Sequence, residues 1–192
     1  MTSTYLRRAA VTLACLPLLA ATPALASGPA PTRAEAVFEV DFLQDMIDHH
    51  AMAVMMAQMC IQKATHDELR TLCESIVAAQ TAEIQLMQSW LQEWYGISYT
   101  PDMKKSAEKR MQRMMQLSGA DFEIAFMDMM IRHHWKAVIE GRMCIDRAYH
   151  PELVALCQNI VETQSAEIIE MQTWLCEWHG ICRSGPRPDA VQ

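Results

Sequence analysis

Residues 42–97 read FLQDMIDHHAMAVMMAQMCIQKATHDELRTLCESIVAAQTAEIQLMQSWLQEWYGI, and residues 126–181 read FMDMMIRHHWKAVIEGRMCIDRAYHPELVALCQNIVETQSAEIIEMQTWLCEWHGI. The two stretches align without a gap and agree at about half of their positions, which makes the chain an internal duplication. Shared residues include Met46/Met130, His49/His133, His50/His134, Met59/Met143, Cys60/Cys144, His66/His150 and Cys73/Cys157, and further on Gln80/Gln164, Glu83/Glu167, Met87/Met171, Trp90/Trp174 and Trp94/Trp178. With 16 methionines, only 6 glycines and no sustained alternation of apolar and polar residues, strands have little support.

Each copy predicts helix, short turn, helix, over 36–64 and 67–95 in the first and 120–148 and 151–179 in the second. Pro151 suits a first helical turn, and Gly96 and Gly180 suit helix ends. A helical hairpin exposes an apolar stripe that only the other hairpin can cover. The fold class is therefore all-α, an antiparallel four-helix bundle with a pseudo-twofold axis. The expected organisation is hairpin 36–97, connector 98–119, hairpin 120–181 and a bundle closing at residue 182. Within the connector, residues 101–117 are amphipathic enough for a short fifth helix. A flexible linker at 27–35 and a disordered tail at 183–192 flank the bundle.

Residues 1–26 combine Arg7-Arg8, an uncharged apolar run and the small-x-small pattern Ala24-Leu25-Ala26, the marks of a cleaved signal peptide. The arginines fit a twin-arginine pattern poorly, and Thr12 stands where a lipoprotein signal ahead of Cys15 would want leucine. Periplasmic or secreted localisation follows. No run is long enough for a permanent membrane span. Losing the two arginines takes the net charge from −7 to −9, which argues against nucleic acid as a partner.

Of 7 cysteines, Cys15 lies in the leader and six remain. Cys60 and Cys73 stand at similar distances on either side of the turn near residue 66 and so face each other across the hairpin. Cys144 and Cys157 repeat the arrangement, and Cys176 and Cys182 straddle Gly180. In an oxidising compartment these are three disulfides; the rival reading makes them thiolate metal ligands.

On a helical wheel His50, Ala53, Ala57 and Ala64 lie within about 40° of the Met46 line, with Phe42, His49 and Cys60 at one edge. His50 is thus predicted to point inward. Gln80, Glu83 and Met87 share a face of the next helix, and Met130, His133, His134, Gln164, Glu167 and Met171 repeat the set. Imidazole, thioether and carboxylate groups inside a bundle need satisfying. Thioether with imidazole suits Cu(I), while imidazole with carboxylate suits Cu(II), Zn or Fe. The plainer alternative has His50 and His134 merely hydrogen-bonded to Glu83 and Glu167. Met52, Met55, Met56 and Met59 are expected on the side away from the Met46 line. Together with Met111, Met114 and Met115 they are either flexible filler or a soft surface that hands Cu(I) in and out. His66 and His150 are expected as capping or solvent-exposed turn residues. The four paired tryptophans are expected to seal one end of the bundle.

The segments DMIDHHAMAVMMAQ and DMMIRHHWKAVIEG, each followed by Q-x-x-E-I-x-x-M-x-x-W-L, resemble the domain-of-unknown-function 305 family. Its members are ferritin-like four-helix bundles and include periplasmic copper-binding proteins of the CopM type. The resemblance spans nearly the whole mature chain and implies copper binding or copper tolerance outside the cytoplasm, with a copper-delivery or efflux protein as partner. It carries over onto Met46, His49, His50, Gln80, Glu83 and Met87 and onto Met130, His133, His134, Gln164, Glu167 and Met171. The sequence departs from the pattern in its paired cysteines, and in Trp135-Lys136 where the first copy has Ala51-Met52. Two other readings compete. A di-iron oxidoreductase would need Glu-x-x-His on two helices, which the chain lacks. A helical interaction module would use the polar core only to fix packing and would hold no metal.

Overall fold

The computed structural model describes residues 28–102 and 111–182. The predicted signal peptide, the middle of the connector and the predicted tail lie outside the described residues. Four long helices follow one another: α1 (Arg33–Lys63), α2 (Asp67–Tyr95), α3 (Gly119–Arg147) and α4 (Pro151–His179). Residues 111–115, at the end of the connector, are helical too, and there is no strand among the described residues. α1 packs on α2 and α3 on α4, and the two hairpins meet chiefly along α1 and α3.

Helix ends follow local chemistry. Gly96 and Gly180 adopt φ of 67° and 66°, the left-handed conformation that only glycine takes without strain, and stop α2 and α4. α1 starts three residues earlier than the apolar spacing predicts. Thr32 accepts from the Glu35 N–H while the Glu35 carboxylate accepts from the Thr32 N–H, a capping box. From Gly28 onward the expected flexible linker is built into the fold. Ala30 is buried and donates its N–H to the Tyr95 hydroxyl, and the Gly28 carbonyl accepts from His150 Nε2.

Disulfides join Cys60 to Cys73, Cys144 to Cys157 and Cys176 to Cys182. The first two staple each hairpin near its turn. Closing loops of that size contributes about 3 kcal/mol each by restricting the unfolded chain.

Two glutamates lock the hairpins together. Glu39 on α1 is fully buried and reaches the turn of the other hairpin, where it accepts from the N–H groups of Tyr149 (2.7 Å) and His150 (2.8 Å), from His150 Nδ1 (2.6 Å) and from the Tyr95 hydroxyl. Glu123, its counterpart on α3, is equally buried and accepts from the N–H groups of Thr65 (2.7 Å) and His66 (2.9 Å), from the Thr65 hydroxyl (2.8 Å) and from His66 Nδ1 (2.8 Å). Each carboxylate also sits at a helix N-terminus, where negative charge is favoured. His66 and His150 precede α2 and α4, but neither caps a helix with its side chain. His150 is fully buried against Trp94, with ring centroids 3.8 Å apart, and His66 stacks on Trp178 at 4.0 Å. For His150 the expectation of capping or solvent exposure gives way to burial, whereas the His66 side chain stays 38% exposed beside its tryptophan.

The same contacts redistribute the tryptophans. His66 precedes α2 and Trp94 lies near its end, so the Trp94–His150 and Trp178–His66 stacks stand at opposite ends of the bundle. Trp90 stacks on Trp94 and Trp174 on Trp178, one pair at each end rather than all four at one. Antiparallel packing of the hairpins requires this.

Replacing Glu39 by Ala removes the acceptor for the Tyr149 and His150 N–H groups, the buried His150 imidazole and the Tyr95 hydroxyl. The expected loss is about 3–5 kcal/mol, read from the denaturant midpoint, with Glu39→Gln losing less because it keeps one acceptor oxygen. A loss under about 1 kcal/mol would show that the latch contributes little.

Candidate metal centre

Adjacent histidines on a helix lie 100° apart, so one of each pair faces its own hairpin and the other faces the neighbouring one. His50 and His134 are the inward members, with no exposed surface. His50 Nε2 donates to Glu83 Oε2 at 2.7 Å. His134 Nε2 lies 2.8 Å from Glu167 Oε2, close enough for an ion pair but out of line for a hydrogen bond. Asn159 on α4 crosses to hold the other Glu83 oxygen at 3.2 Å, whereas the position equivalent to Asn159 carries the shorter Ser75. The two halves therefore differ in how firmly the carboxylate is aimed.

His49 and His133 face each other between α1 and α3. Their rings stack with centroids 3.6 Å apart, and His49 Nε2 donates to the His133 carbonyl at 3.1 Å. Burial drives the pKa of both far below the ordinary value for imidazole. For His49 the charges of His133, His50 and Lys136 push the same way, and for His133 those of His134, His50 and Lys136 do. Both rings are neutral at neutral pH and offer a lone pair.

The tautomers follow from the partners. A carbonyl or carboxylate oxygen can only accept, so the proton of His49 and of His50 sits on Nε2 and the lone pair on Nδ1. Nδ1 of His49, His50, His133 and His134 is buried without a hydrogen-bond partner, as are Oε1 of Gln80 and of Gln164. Unpaired buried polar atoms are rare in folded proteins, and here they recur at equivalent positions of both copies.

Other expected donors are divided. Met46, Met87, Met130 and Met171 are fully buried. The first two pack in an apolar cluster with Phe42 and Leu91, the last two in another with Phe126 and Leu175. Glu83 and Glu167 each stay with the histidine of their own hairpin. Among the described residues no group of three or more His, Cys, Asp or Glu side chains forms a ready ligand set. What the fold brings together is the imidazoles: His49 stacks on His133, and His50 and His134 lie with ring centroids 6.2 Å from their respective neighbours.

Several residues take places the wheel did not give them. Of the Met52 group only Met55 is exposed; Met56 is 1 % exposed and packs in the core, and Met52 and Met59 pack against it. Met111 and Met114 are buried and Met115 is exposed. Met52, Met56 and Met129 line a cavity of about 750 Å³ with His49 and His133. The i, i+3, i+7 spacing of His49, Met52 and Met56 is the signal that could have grouped them.

The model of the domain of unknown function DUF305 matches residues 39–175. The chain belongs to the DUF305 family. It is similar to CopM in its Cu(I)-bound form, at 31% identity and a TM-score of 0.67, over 74% of this chain and 98% of that one. Similarity to CopM in its Cu(II)-bound form is at 30% identity and a TM-score of 0.68, over 73% and 97%. A DUF305 protein from Streptomyces coelicolor matches at 25% identity and a TM-score of 0.64, over 73% and 91%. CopM has also been solved in an Ag-bound form. No curated protein matches the sequence.

Because the folded state keeps His49 and His133 neutral while the unfolded chain protonates them near pH 6.5, stability of the metal-free protein falls as pH drops below that value. Thermal denaturation between pH 7.5 and 5 is expected to show the decline, and His49→Phe/His133→Phe to reduce its slope. An unchanged slope in the double variant would place the titration elsewhere.

Proposed function

We propose that the protein binds copper as a chaperone or buffer, holding it with imidazole nitrogen and thioether sulfur from the two hairpins. The observation that carries this reading is the set of buried histidines whose Nδ1 atoms have no partner, two of them, His49 and His50, with the proton tied to Nε2. A metal-binding histidine characteristically donates its other nitrogen to a carboxylate or carbonyl, which fixes the ring and raises its basicity. His50 with Glu83 and His49 with the His133 carbonyl have this form, and His134 beside Glu167 approaches it.

In this reading His49, His50, His133 and His134 supply nitrogen, Met46, Met87, Met130 and Met171 supply sulfur, and Gln80 and Gln164 supply amide oxygen. Glu83 and Glu167 orient imidazoles and balance charge rather than ligate. Copper fits this donor set better than Zn or Fe because thioether is a poor ligand for the harder ions, and Cu(I) favours it most. The likeness to CopM, solved with Cu(I), Cu(II) and Ag, supports the same choice. A purely structural polar core would leave those Nδ1 atoms buried at a cost with nothing gained. Non-enzymatic binding fits a site with two glutamates and no Glu-x-x-His.

Export to the periplasm or beyond completes the proposal. The leader at residues 1–26 and three disulfides belong to an oxidising compartment, and no described helix is long and apolar enough to cross a membrane. A copper-delivery or efflux protein would be the exchange partner.

Anaerobic Cu(I) titration of the disulfide-intact chain, with metal analysis, is expected to give at least one equivalent. His50→Ala/His134→Ala is expected to weaken binding tenfold or more at unchanged helicity. Binding indifferent to that double variant, or a wild-type protein that takes up no copper, would end the reading.

A further inference from the structure

The pseudo-twofold axis relates two grooves between α1 and α3, one near each end of the bundle, and only one of them is filled. The first runs between the end of α1 and the start of α3, and the end of the connector lies on it. The carbonyls of Met115 and Leu117 each accept from Lys63 Nζ at 2.6 Å, and that ammonium sits 5.5 Å from the centroid of the Phe122 ring. Met111 and Met114 are buried in the same apolar cluster as Phe122. The second groove, of about 260 Å³, runs between the start of α1 and the end of α3, and among the described residues only these two helices line it. Its Phe38 and Arg147 are the counterparts of Phe122 and Lys63, and the Arg147 guanidinium lies 4.2 Å from the centroid of the Phe38 ring.

Exposure records what is missing. Phe122 is fully buried and Met59 partly buried, whereas Phe38 is only partly buried and Met143, the counterpart of Met59, is 47 % exposed. Val37, which lines the open groove with them, is 51 % exposed. Lys63 spends two hydrogen bonds on the last carbonyls of the connector, while Arg147 donates none among the described residues. Apolar side chains grouped along a groove with polar neighbours mark a docking surface rather than a solvated one.

Toward the middle of the molecule the two grooves differ in charge. Where the filled one has Ala125, Met129 and Met56, the open one has Asp41, Asp45 and Glu140. Glu140 gives Oε1 to Lys136 and leaves Oε2 without a hydrogen-bond partner. The connector passes Asp48 near the middle of α1 at Asp102 and ends at Lys63, so its last turn runs outward along the groove. A helix placed by the same symmetry in the open groove would start among the three acids and finish at Arg147. Its positive N-terminal end suits the carboxylates, and its free C-terminal carbonyls suit the guanidinium.

We propose that the open groove docks an amphipathic helix of a partner protein. That helix carries Met or Leu at i, i+3 against Val37, Phe38 and Met143, and Lys or Arg in the turn before them against Asp41, Asp45 and Glu140. The net charge of −7 favours the same basic partner. None of the residues proposed above as copper ligands lines this groove, so the docking site stands independently of the copper reading.

Residues 104–118 have the required pattern, with Lys109 and Arg110 ahead of Met111 and Met114, and as a separate peptide they serve as the probe. Added to the disulfide-intact chain, the peptide is expected to shift the amide signals of Val37, Phe38, Asp41, Met143 and Arg147 saturably. Met143→Lys is expected to weaken binding about tenfold, and Asp41→Asn/Asp45→Asn about fivefold with loss of its salt dependence. These side chains are exposed, and unchanged helicity checks that each variant folds. No shifts, or shifts confined to Met59 and Phe122 where the peptide merely displaces the connector, would overturn the docking site. Dimerisation in sedimentation that Met143→Lys abolishes would give the groove to a second copy. Peptide binding that appears only once residues 183–192 are removed would give it to the chain's own tail. Either result would overturn the partner helix, and copper uptake measured on the same samples would still decide the copper reading separately.

Discussion

The structure depends on a carboxylate crossing from each hairpin to the turn of the other. A buried carboxylate in an apolar bundle is costly unless several donors meet it, and Glu39 and Glu123 each meet four. For Glu123, burial pushes the pKa up, but the N–H groups of His66 and Thr65, the Thr65 hydroxyl and the His66 ring outweigh it and hold the carboxyl below its ordinary range. All four donors to Glu123, and three of the four to Glu39, belong to the other copy's turn; the fourth, the Tyr95 hydroxyl, is in Glu39's own hairpin. Neither hairpin can satisfy its own buried charge, so the second half of the molecule is an electrostatic requirement as well as a cover for apolar surface.

That constraint fixes the relative register of α1 and α3, and the register makes the site. With both ends of the bundle latched, His49 comes to rest on His133 across the pseudo-axis, while His50 and His134 turn to Glu83 and Glu167 inside their own hairpins. A one-residue slip would rotate each pair by about 100° and exchange these roles. The hairpin disulfides do not prevent such a slip, because both ends of each lie in the same hairpin. The glutamates do.

Much of this was legible in the sequence. Duplication with helical spacing and glycine stops predicts four helices to within a few residues, and inward placement of His50 follows from the wheel because Met46, Ala53 and Ala57 share its line. What escaped has definite physical causes. Glu39 and Glu123 are related by the same duplication but lie three residues before the quoted alignment begins, and an isolated glutamate on a helix carries no local sign that its partners belong to another hairpin. His66 and His150 are turn residues, as their place between helices suggests; what the turn does not show is the stacking of each on a tryptophan of the other hairpin, which buries His150 and half-covers His66. The linker is ordered where no apolar spacing signals it, because Thr32 and Glu35 form a capping box ahead of the first apolar turn. Met56 stands at the edge of the inward face, beside His49 on the wheel, where angle alone does not decide between core and surface.

A duplicated bundle offers two kinds of place for a ligand. Positions off the axis occur twice, and His50 with Glu83 and His134 with Glu167 are alike in the two copies. Positions on the axis occur once as a place but are built from both copies, so each copy can change its own contribution without duplicating the consequence. Met52 against Lys136, Met56 against Glu140 and Met129 against Asp45 have diverged in this way, while His49 and His133 between them have not. A uniform packing demand would have kept both sides apolar, and a uniform solvent-facing role would have kept both sides charged. The result is a cavity in which Asp45 faces Met129 and Met52 faces Lys136 around the two retained imidazoles, so its walls differ in charge as well as in polarizability although the helices that form them are copies.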